Sequence, residues 1–279
     1  GGINITPTSY QLSEGQTQTP ITIAYQDVTK SLSKYGVLYK TTEKTELMNE
    51  RNIPEDMRAS AAEGVGSIKE MIVWNEIKGG TSVTYTNGST RAGINTAISL
   101  NALEKAKASL LDAHASVVTK GSPSGPDYGN VAVGRGFIAY SHTDTEHDYR
   151  QLAGFKDVVD YGSAKPWHDM EIGSVPGYRI VLTPMLKPWM DSGSATTNGM
   201  RYSGGNVDVY ATMVCADGGY GHVPLKGRDA MTPFVIPAST RNHANPSAQF
   251  GYVGVDFYTT AVRLNEFFLN RIESGATLL

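Results

Sequence analysis

The sequence predicts an α+β fold, in which strands and helices occupy separate stretches of the chain. Three observations support this. Apolar residues alternate with polar ones before residue 45, a long helical pattern covers 54–78, and short apolar runs alternate with loops over 127–240. With 279 residues, the chain is long enough for one large domain or two modest ones.

The first 45 residues are predicted to form a long β-hairpin. Residues 3–5 and 21–25 alternate apolar and polar side chains, and the second run continues through 37–39. The turn-prone stretch 13–15 lies between them. Because a hairpin with one apolar stripe is marginally stable alone in water, we expect this one to lie on another surface.

A long amphipathic helix is predicted from Pro54 to Lys78. Pro54 and the two acids after it suit the first turn of a helix, and the glycine pair 79–80 provides a stop. Its apolar stripe, at spacings of three and four residues, consists of Met57, Ala61, Val65, Ile68 and Ile72. Gly64 and Gly66 lie inside the helix, where they either let another backbone approach or mark a bend.

A short strand at 83–85 and a turn at 87–88 are predicted after this helix. A second helix is then expected over 99–118, with Asn101 and Glu104 at the spacing of a capping box.

The second half of the chain is predicted to be rich in strands. Predicted strands cover 131–140, 178–182, 207–214 and 253–257. Thr143 and Glu146 have capping-box spacing before a short helix, and 191–205 is predicted to be an exposed excursion. At 262–264 the pattern leaves a strand and a short helix open.

The charge composition points to a protein with covered surfaces. Lys and Arg number 24, Asp and Glu number 27, and the net charge of −3 argues against a chain that mainly grips nucleic acid or an anionic membrane. Charged residues make up only 18%, against about 25% in ordinary domains. The single cysteine, Cys215, fits a reducing cytoplasm, and no apolar run is long enough to span a membrane.

One cluster could hold a metal, and it defines the enzyme hypothesis. It consists of His142, Asp144, Glu146, His147 and Asp148. His142, Asp144 and His147 are the metal candidates, although acids in the first turn of a capped helix explain the same pattern and are favoured. A similar cluster at 168–171 is interpreted as a surface loop. No nucleophile elbow, phosphate loop or dinucleotide fingerprint occurs, so we predict no catalytic residue, metal or cofactor.

Five short motifs, taken in order, resemble one protein family. They are LSEGQT at 12–17, KYG at 34–36, PED at 54–56, MEIGSVPGYRI at 170–180 and FGYVGV at 250–255. Their order and spacing resemble the major capsid proteins of tailed bacteriophages, and within them the branch typified by the podophage N-four.

This resemblance implies the Hong Kong 97 capsid fold. The implied parts are an extended loop (E-loop) at 1–30, a peripheral domain at 31–80 with a spine helix at 54–79, an axial domain at 81–241 and a return to the peripheral domain at 242–279. The E-loop tip, Glu14, Gly15, Gln16 and Thr17, would contact a neighbouring subunit, and Gly64 and Gly66 would let the spine helix bend. The family's N-terminal arm would precede residue 1, either cleaved or outside the sequence.

The implied function is structural: self-assembly as hexamers and pentamers into an icosahedral shell that encloses double-stranded DNA. The expected partners are further copies of the chain, with decoration, scaffolding and portal proteins, and no membrane. The expected location is the virion, after assembly in the bacterial cytoplasm. The alternatives are an encapsulin-like compartment that carries a cargo protein, and a metal-dependent β-rich enzyme.

Overall fold

A computed structural model describes residues 11, 14–15, 27–120, 132–161, 166, 168–195, 199–227, 231–241, 243 and 245–279. The helices are α1 (Glu43–Met48), α2 (Ile53–Lys78), α3 (Leu100–Asp112) and α4 (Glu146–Arg150). The strands are β1 (Ser33–Thr42), β2 (Val83–Tyr85), β3 (Val118–Lys120), β4 (Ala132–Ser141), β5 (Lys156–Asp157), β6 (Glu171–Val175), β7 (Tyr178–Leu182), β8 (Tyr210–Cys215), β9 (Tyr220–Pro224), β10 (Met231–Ile236), β11 (Phe250–Arg263) and β12 (Leu269–Ser274). No helix in these stretches is long and apolar enough to cross a membrane.

The strands form two sheets. A four-stranded antiparallel sheet is built around β11, which pairs with β1 on one side and with both β10 and β9 on the other. The second sheet has eight strands, in the order β2-β12-β8-β4-β7-β6-β5, with β3 also pairing with β4. Its β2–β12 and β4–β7 pairs are parallel, and its other pairs are antiparallel.

Helix α2 extends across both sheets. In its first half, Ala61 and Val65 are buried toward β1 and β11. In its second half, Trp74 and Ile77 are buried with residues of β8 and β12. The helix prediction is confirmed, and Ala61 and Val65 of the predicted stripe are buried. The second half of the stripe is wrong, because Ile68 and Ile72 stay half-buried while Trp74 and Ile77 turn toward the second sheet.

The largest core lies between α3 and the eight-stranded sheet. Its fully buried members include Leu103, Leu110, Phe137, Tyr149, Ile180 and Ile272. Tyr149 and Tyr178 reach polar partners from inside this core, since Tyr149 bonds Thr212 at 2.7 Å and Tyr178 donates to the Leu103 carbonyl at 2.7 Å. These bonds satisfy hydroxyl groups that would otherwise be costly to bury.

The second helix begins where the sequence predicts, at Ser99, but its predicted capping box and its predicted end are wrong. Ser99 is the N-cap, because its hydroxyl accepts from the Ala102 N–H at 3.3 Å, and Asn101 lies inside the helix. At the other end His114 has a φ of 56°, and the Ala115 N–H turns back to the Leu110 carbonyl at 3.0 Å. This left-handed residue ends the helix at Asp112, and 118–120 forms a strand.

The capping box predicted at Thr143 and Glu146 is also wrong. The turn at Thr143–Thr145 is a 3₁₀ helix whose N-cap is His142, with Nδ1 accepting from the Asp144 N–H at 3.1 Å. The strands predicted around 131–140, 178–182 and 253–257 are confirmed, and β11 continues through Val262 to Arg263.

The predicted boundary at residue 241 differs from the division between the sheets. Strands β9 and β10 belong to the four-stranded sheet, and β12 belongs to the eight-stranded one. The chain therefore joins the first sheet before residue 242, and leaves it again for the second sheet at β12. As domain bounds these ranges stay predictions.

Candidate assembly surfaces

A groove of about 390 Å³ runs between α2 and β10. Its walls are mostly apolar, with Ala61, Ala62 and Val65 from the helix, Met231, Pro233 and Val235 from the strand, Val253 and Val255 as the floor, and Arg58 also in the lining. Phe234 and Gly254 border the groove too, but strand alternation directs them to the other face of the sheet. Met231 and Val235 keep 45% and 38% of their surface exposed. Exposed apolar side chains in a groove are typical of a surface that another chain covers.

The groove is open because α2 is narrower than the sheet. The helix packs against β1 and β11 and leaves β10 uncovered. Among the described residues, β10 has a strand partner on one side only, so it is an edge strand. Pro233 offers no N–H at this edge, which disfavours the addition of another strand. Contact through side chains suits this groove better than strand addition.

The opposite face of the same sheet also exposes apolar surface. Leu38, Gly254 and Phe234 form one cross-strand row, and Leu38 is 61% exposed. A Cβ at position 254 would lie 2.7 Å from Phe234 Cζ and 2.7 Å from the Val37 carbonyl oxygen. Gly254 is therefore required for the two flanking side chains to meet over the central strand.

The predicted E-loop tip lies partly within the described residues. Glu14 and Gly15 are exposed in a turn, where Gly15 has a φ of 79° that glycine adopts without strain. Gln16, Thr17 and most of the predicted hairpin lie outside the described residues. Residues 27–32 are exposed and carry no regular structure, so the predicted second strand is interrupted before β1.

Gly64 and Gly66 occupy different surroundings in α2. A Cβ at Gly64 would lie 3.5 Å from a methyl group of Val37, whereas a Cβ at Gly66 would have nothing within 4 Å. Gly64 therefore marks the point where the helix approaches β1 closely. The bend predicted at these two residues stays a prediction.

The three metal candidates do not form a metal-binding group. Asp144 accepts from Tyr210 at 2.8 Å and pairs with Arg201 at 2.9 Å, and His142 Nδ1 is engaged by a backbone N–H. No group of three or more His, Cys, Asp or Glu suited to a metal exists in the part of the chain that the structure describes. Burial lowers the pKa of His142, which favours its neutral form.

Two further predictions about polar residues have clear outcomes. Cys215 is buried, and this burial raises the pKa of its thiol to about 12, as expected for an unreactive cysteine. Glu171, from the cluster interpreted as a surface loop, is instead 6% exposed and bonds Arg179 at 3.0 Å and Tyr161 at 2.7 Å. Glu171 is thus a buried structural carboxylate.

A buried ionic cluster at the end of α2 is absent from the sequence-based predictions. Glu273 is fully buried and accepts from Arg91 at 2.7 and 2.9 Å and from Arg271 at 2.8 Å. The Arg91 guanidinium also stacks on Trp189, 3.7 Å from the ring centroid, and Lys78 lies 3.9 Å from the same centroid. Because Arg271 donates to the Lys78 and Gly80 carbonyls, the cluster ties the helix end to the eight-stranded sheet.

The cluster carries more positive than negative charge. Burial, together with Arg91 and Arg271, lowers the pKa of Lys78 to about 8. Arg271 donates to carbonyls at the C-terminal end of the helix, where positive charge is favoured by the helix dipole. The two opposite charges at Arg271 and Glu273, on either side of Ile272 in β12, were the signal available in the sequence.

Comparison with solved structures identifies the fold. The capsid of Ralstonia phage GP4 aligns over 88% of this chain and 74% of its own, with a TM-score of 0.61 and 11% identity. The head structure of Helicobacter pylori bacteriophage KHP40 aligns over 88% and 74%, with a TM-score of 0.56 and 8% identity. The Cyanophage Pam1 capsid aligns over 96% and 83%, with a TM-score of 0.55 and 11% identity.

These likenesses confirm the predicted fold class: the chain has a mixed helix-and-sheet, Hong Kong 97-like fold. No family model and no curated protein sequence matches the chain. At such low identity the likeness concerns the fold, and what the chain does with it is argued next.

Proposed function

We propose that the chain is the major capsid protein of a tailed bacteriophage. One observation carries this proposal, namely that phage capsid structures align with 88 to 96% of the chain. The low charge content and the open groove beside β10 support it, because both fit a subunit whose faces are covered by neighbours. The role is structural and non-enzymatic.

The proposed mechanism is self-association through unlike surfaces. Contacts of this heterologous kind close into rings when the rotation between subunits closes, which gives hexamers and pentamers. Residues 81–241 would meet around the ring axis, and 31–80 with 242–279 would form the periphery. The spine helix, 54–79, would adjust by bending at Gly64 and Gly66.

We assign the groove between α2 and β10 to the extended loop of a neighbouring copy. Residues 21–25 carry a stripe of Ile21, Ile23 and Tyr25, which matches the apolar walls of the groove. The tip residues Glu14, Gly15, Gln16 and Thr17 would then contact the same neighbour. Burying the stripe and the groove together removes apolar surface that each subunit alone exposes.

The finer parts of the proposal rest on the sequence motifs. By that resemblance the chain would belong to the N-four branch, with assembly in the bacterial cytoplasm, double-stranded DNA inside the shell and portal, scaffolding and decoration proteins as partners. A net charge of −3 is compatible with a shell that contains DNA without binding it tightly.

Electron microscopy of the purified native assembly tests the proposal. We expect closed shells tens of nanometres across that contain nuclease-protected double-stranded DNA. A small soluble oligomer would contradict a shell function altogether. Shells filled with a cargo protein and free of DNA would instead identify an encapsulin-like compartment.

A further inference from the structure

Four charged side chains form a continuous series where the extended segment joins the body of the subunit. Lys30, in the exposed segment 27–32, contacts the Glu76 carboxylate at the end of α2. The other Glu76 oxygen lies 3.7 Å from Nε of Arg263, and Nη1 of Arg263 lies 3.1 Å from Glu266. The series connects the exposed segment, the helix, β11 and the turn that precedes β12.

Arg263 places a second positive charge beside Glu76, independently of Lys30. The Nε and Nη1 atoms of Arg263 are buried and have no hydrogen-bond partner among the described residues, so the two nearby carboxylates offset their charge. Glu266 is itself fixed, because it accepts from the Thr81 N–H at 3.0 Å. The carboxylate that faces Lys30 is therefore already oriented when Lys30 meets it.

Lys30 is well placed to restrain the segment. It is three residues before β1, and residues 27–32 are exposed along their whole length. The pair joins positions 46 residues apart in sequence, so it fixes the segment against the body rather than against its own neighbours. A single exposed ion pair contributes little to stability, but it can select one direction among several of similar energy.

We propose that the Lys30–Glu76 pair is a latch that sets the direction in which the chain before β1 leaves the body of the subunit. Arg263 and Glu266 are the positioning residues that hold the Glu76 side of the latch. The inference concerns the geometry of one subunit, and so it goes beyond the shell function proposed above. It implies that the latch can be released without unfolding either sheet.

A spin label beside the latch tests this. Thr29→Cys introduces an accessible thiol, and the native Cys215 is buried with a raised thiol pKa, so the nitroxide attaches selectively. The electron paramagnetic resonance line shape of the labelled full chain is compared in four backgrounds: parent, Lys30→Gln, Glu76→Gln and Lys30→Arg. Glu63→Gln is the matched control, since it removes an exposed carboxylate of the same helix that lies outside the series.

We expect an immobilised spectrum in the parent, in Lys30→Arg and in Glu63→Gln, and at least a doubling of the mobile fraction in Lys30→Gln and Glu76→Gln. Raising the salt to about 1 M, where the screening length is about 3 Å, should increase the mobile fraction of the parent and not of Glu76→Gln. An unchanged line shape in Lys30→Gln overturns the latch even if Glu76→Gln fails to fold. The spectra are recorded on the unassembled subunit, so failure of the shell proposal is recognised separately by microscopy.

Discussion

The two sheets of this subunit bury their apolar residues to different degrees. The eight-stranded sheet and α3 enclose a core in which Leu103, Phe137 and Ile180 are completely buried. The four-stranded sheet is covered by a single helix and leaves Met231, at 45%, substantially exposed. The first region buries its apolar surface within one chain, whereas the second leaves apolar surface exposed that, in the proposed function, a neighbour covers. Self-assembly is expected to stabilise the second region most.

The largest loss of stability is expected from removing the buried charge of Glu273 in the eight-stranded sheet. Replacing Glu273 with Gln leaves the guanidinium groups of Arg91 and Arg271 without their shared carboxylate. We expect the free energy of unfolding to fall by about 3 to 5 kcal/mol, measured by denaturant titration of the subunit. A loss below about 1 kcal/mol would show that this region does not depend on the cluster.

A core substitution sharpens the contrast between the sheets. Leu103→Ala should lower the free energy of unfolding by about 2 to 5 kcal/mol, because the site is completely buried. Leu38→Ala, in the four-stranded sheet, is the control, and its side chain is 61% exposed. Its cost in the free subunit should stay within about 0.5 kcal/mol. Similar losses from both substitutions would remove the contrast.

The groove beside β10 should affect assembly rather than folding. Val235→Lys places an ammonium group in the groove, and we expect the yield of shells to fall at least tenfold while the thermal midpoint of the subunit hardly changes. Thr232→Lys lies in the same strand on the opposite face and serves as the control. Normal shells from Val235→Lys would show that no neighbour occupies the groove.

The charge on Lys78 gives a smaller, pH-dependent effect. Its pKa is lowered to about 8 in the folded subunit, so between pH 8 and about 10 the unfolded chain holds more protons at this residue. The contribution of Lys78 to stability must therefore increase as the pH rises through this window. The stability of the parent relative to Lys78→Met should increase between pH 7.5 and about 9.5 in paired denaturant titrations. A flat or falling difference would contradict the position of Lys78 beside Arg91 and Arg271.

The smallest expected effect is a gain. Gly66→Ala places a methyl group in open space inside α2, and should raise the free energy of unfolding by up to about 1 kcal/mol. Gly64→Ala should gain less, since its Cβ would contact Val37 at 3.5 Å. If the helix must bend at these residues, the stabilised Gly66→Ala subunits should form shells with altered diameter under the microscope. A Gly66→Ala subunit that is less stable than the parent would contradict the open space around this residue.

Local signals in the sequence were sufficient for much of the fold. Periodicity located α2 and the main strands, since these depend on neighbours three, four or two positions away. The end of α3 was missed because His114 adopts a left-handed conformation that its residue type does not announce. Sheet membership was missed at β9, β10 and β12, because pairing with β11 and β8 joins residues far apart in the chain.

The surfaces were harder to predict than the fold. The groove exists because α2 leaves β10 uncovered. This depends on the width and position of the helix relative to the sheet, and no sequence motif encodes it. The buried cluster around Glu273 requires residues from four distant segments, and only the two opposite charges in β12 hinted at it. The order of five short motifs, in contrast, was enough to predict the fold class.

The most direct test of the central claim is a cryo-electron microscopy reconstruction of the purified particles, at a resolution that traces the chain. We predict a closed icosahedral shell in which the groove between α2 and β10 of each subunit is filled by residues preceding β1 of a neighbouring copy. A small oligomer, or a shell in which that groove is open to solvent, would contradict this account.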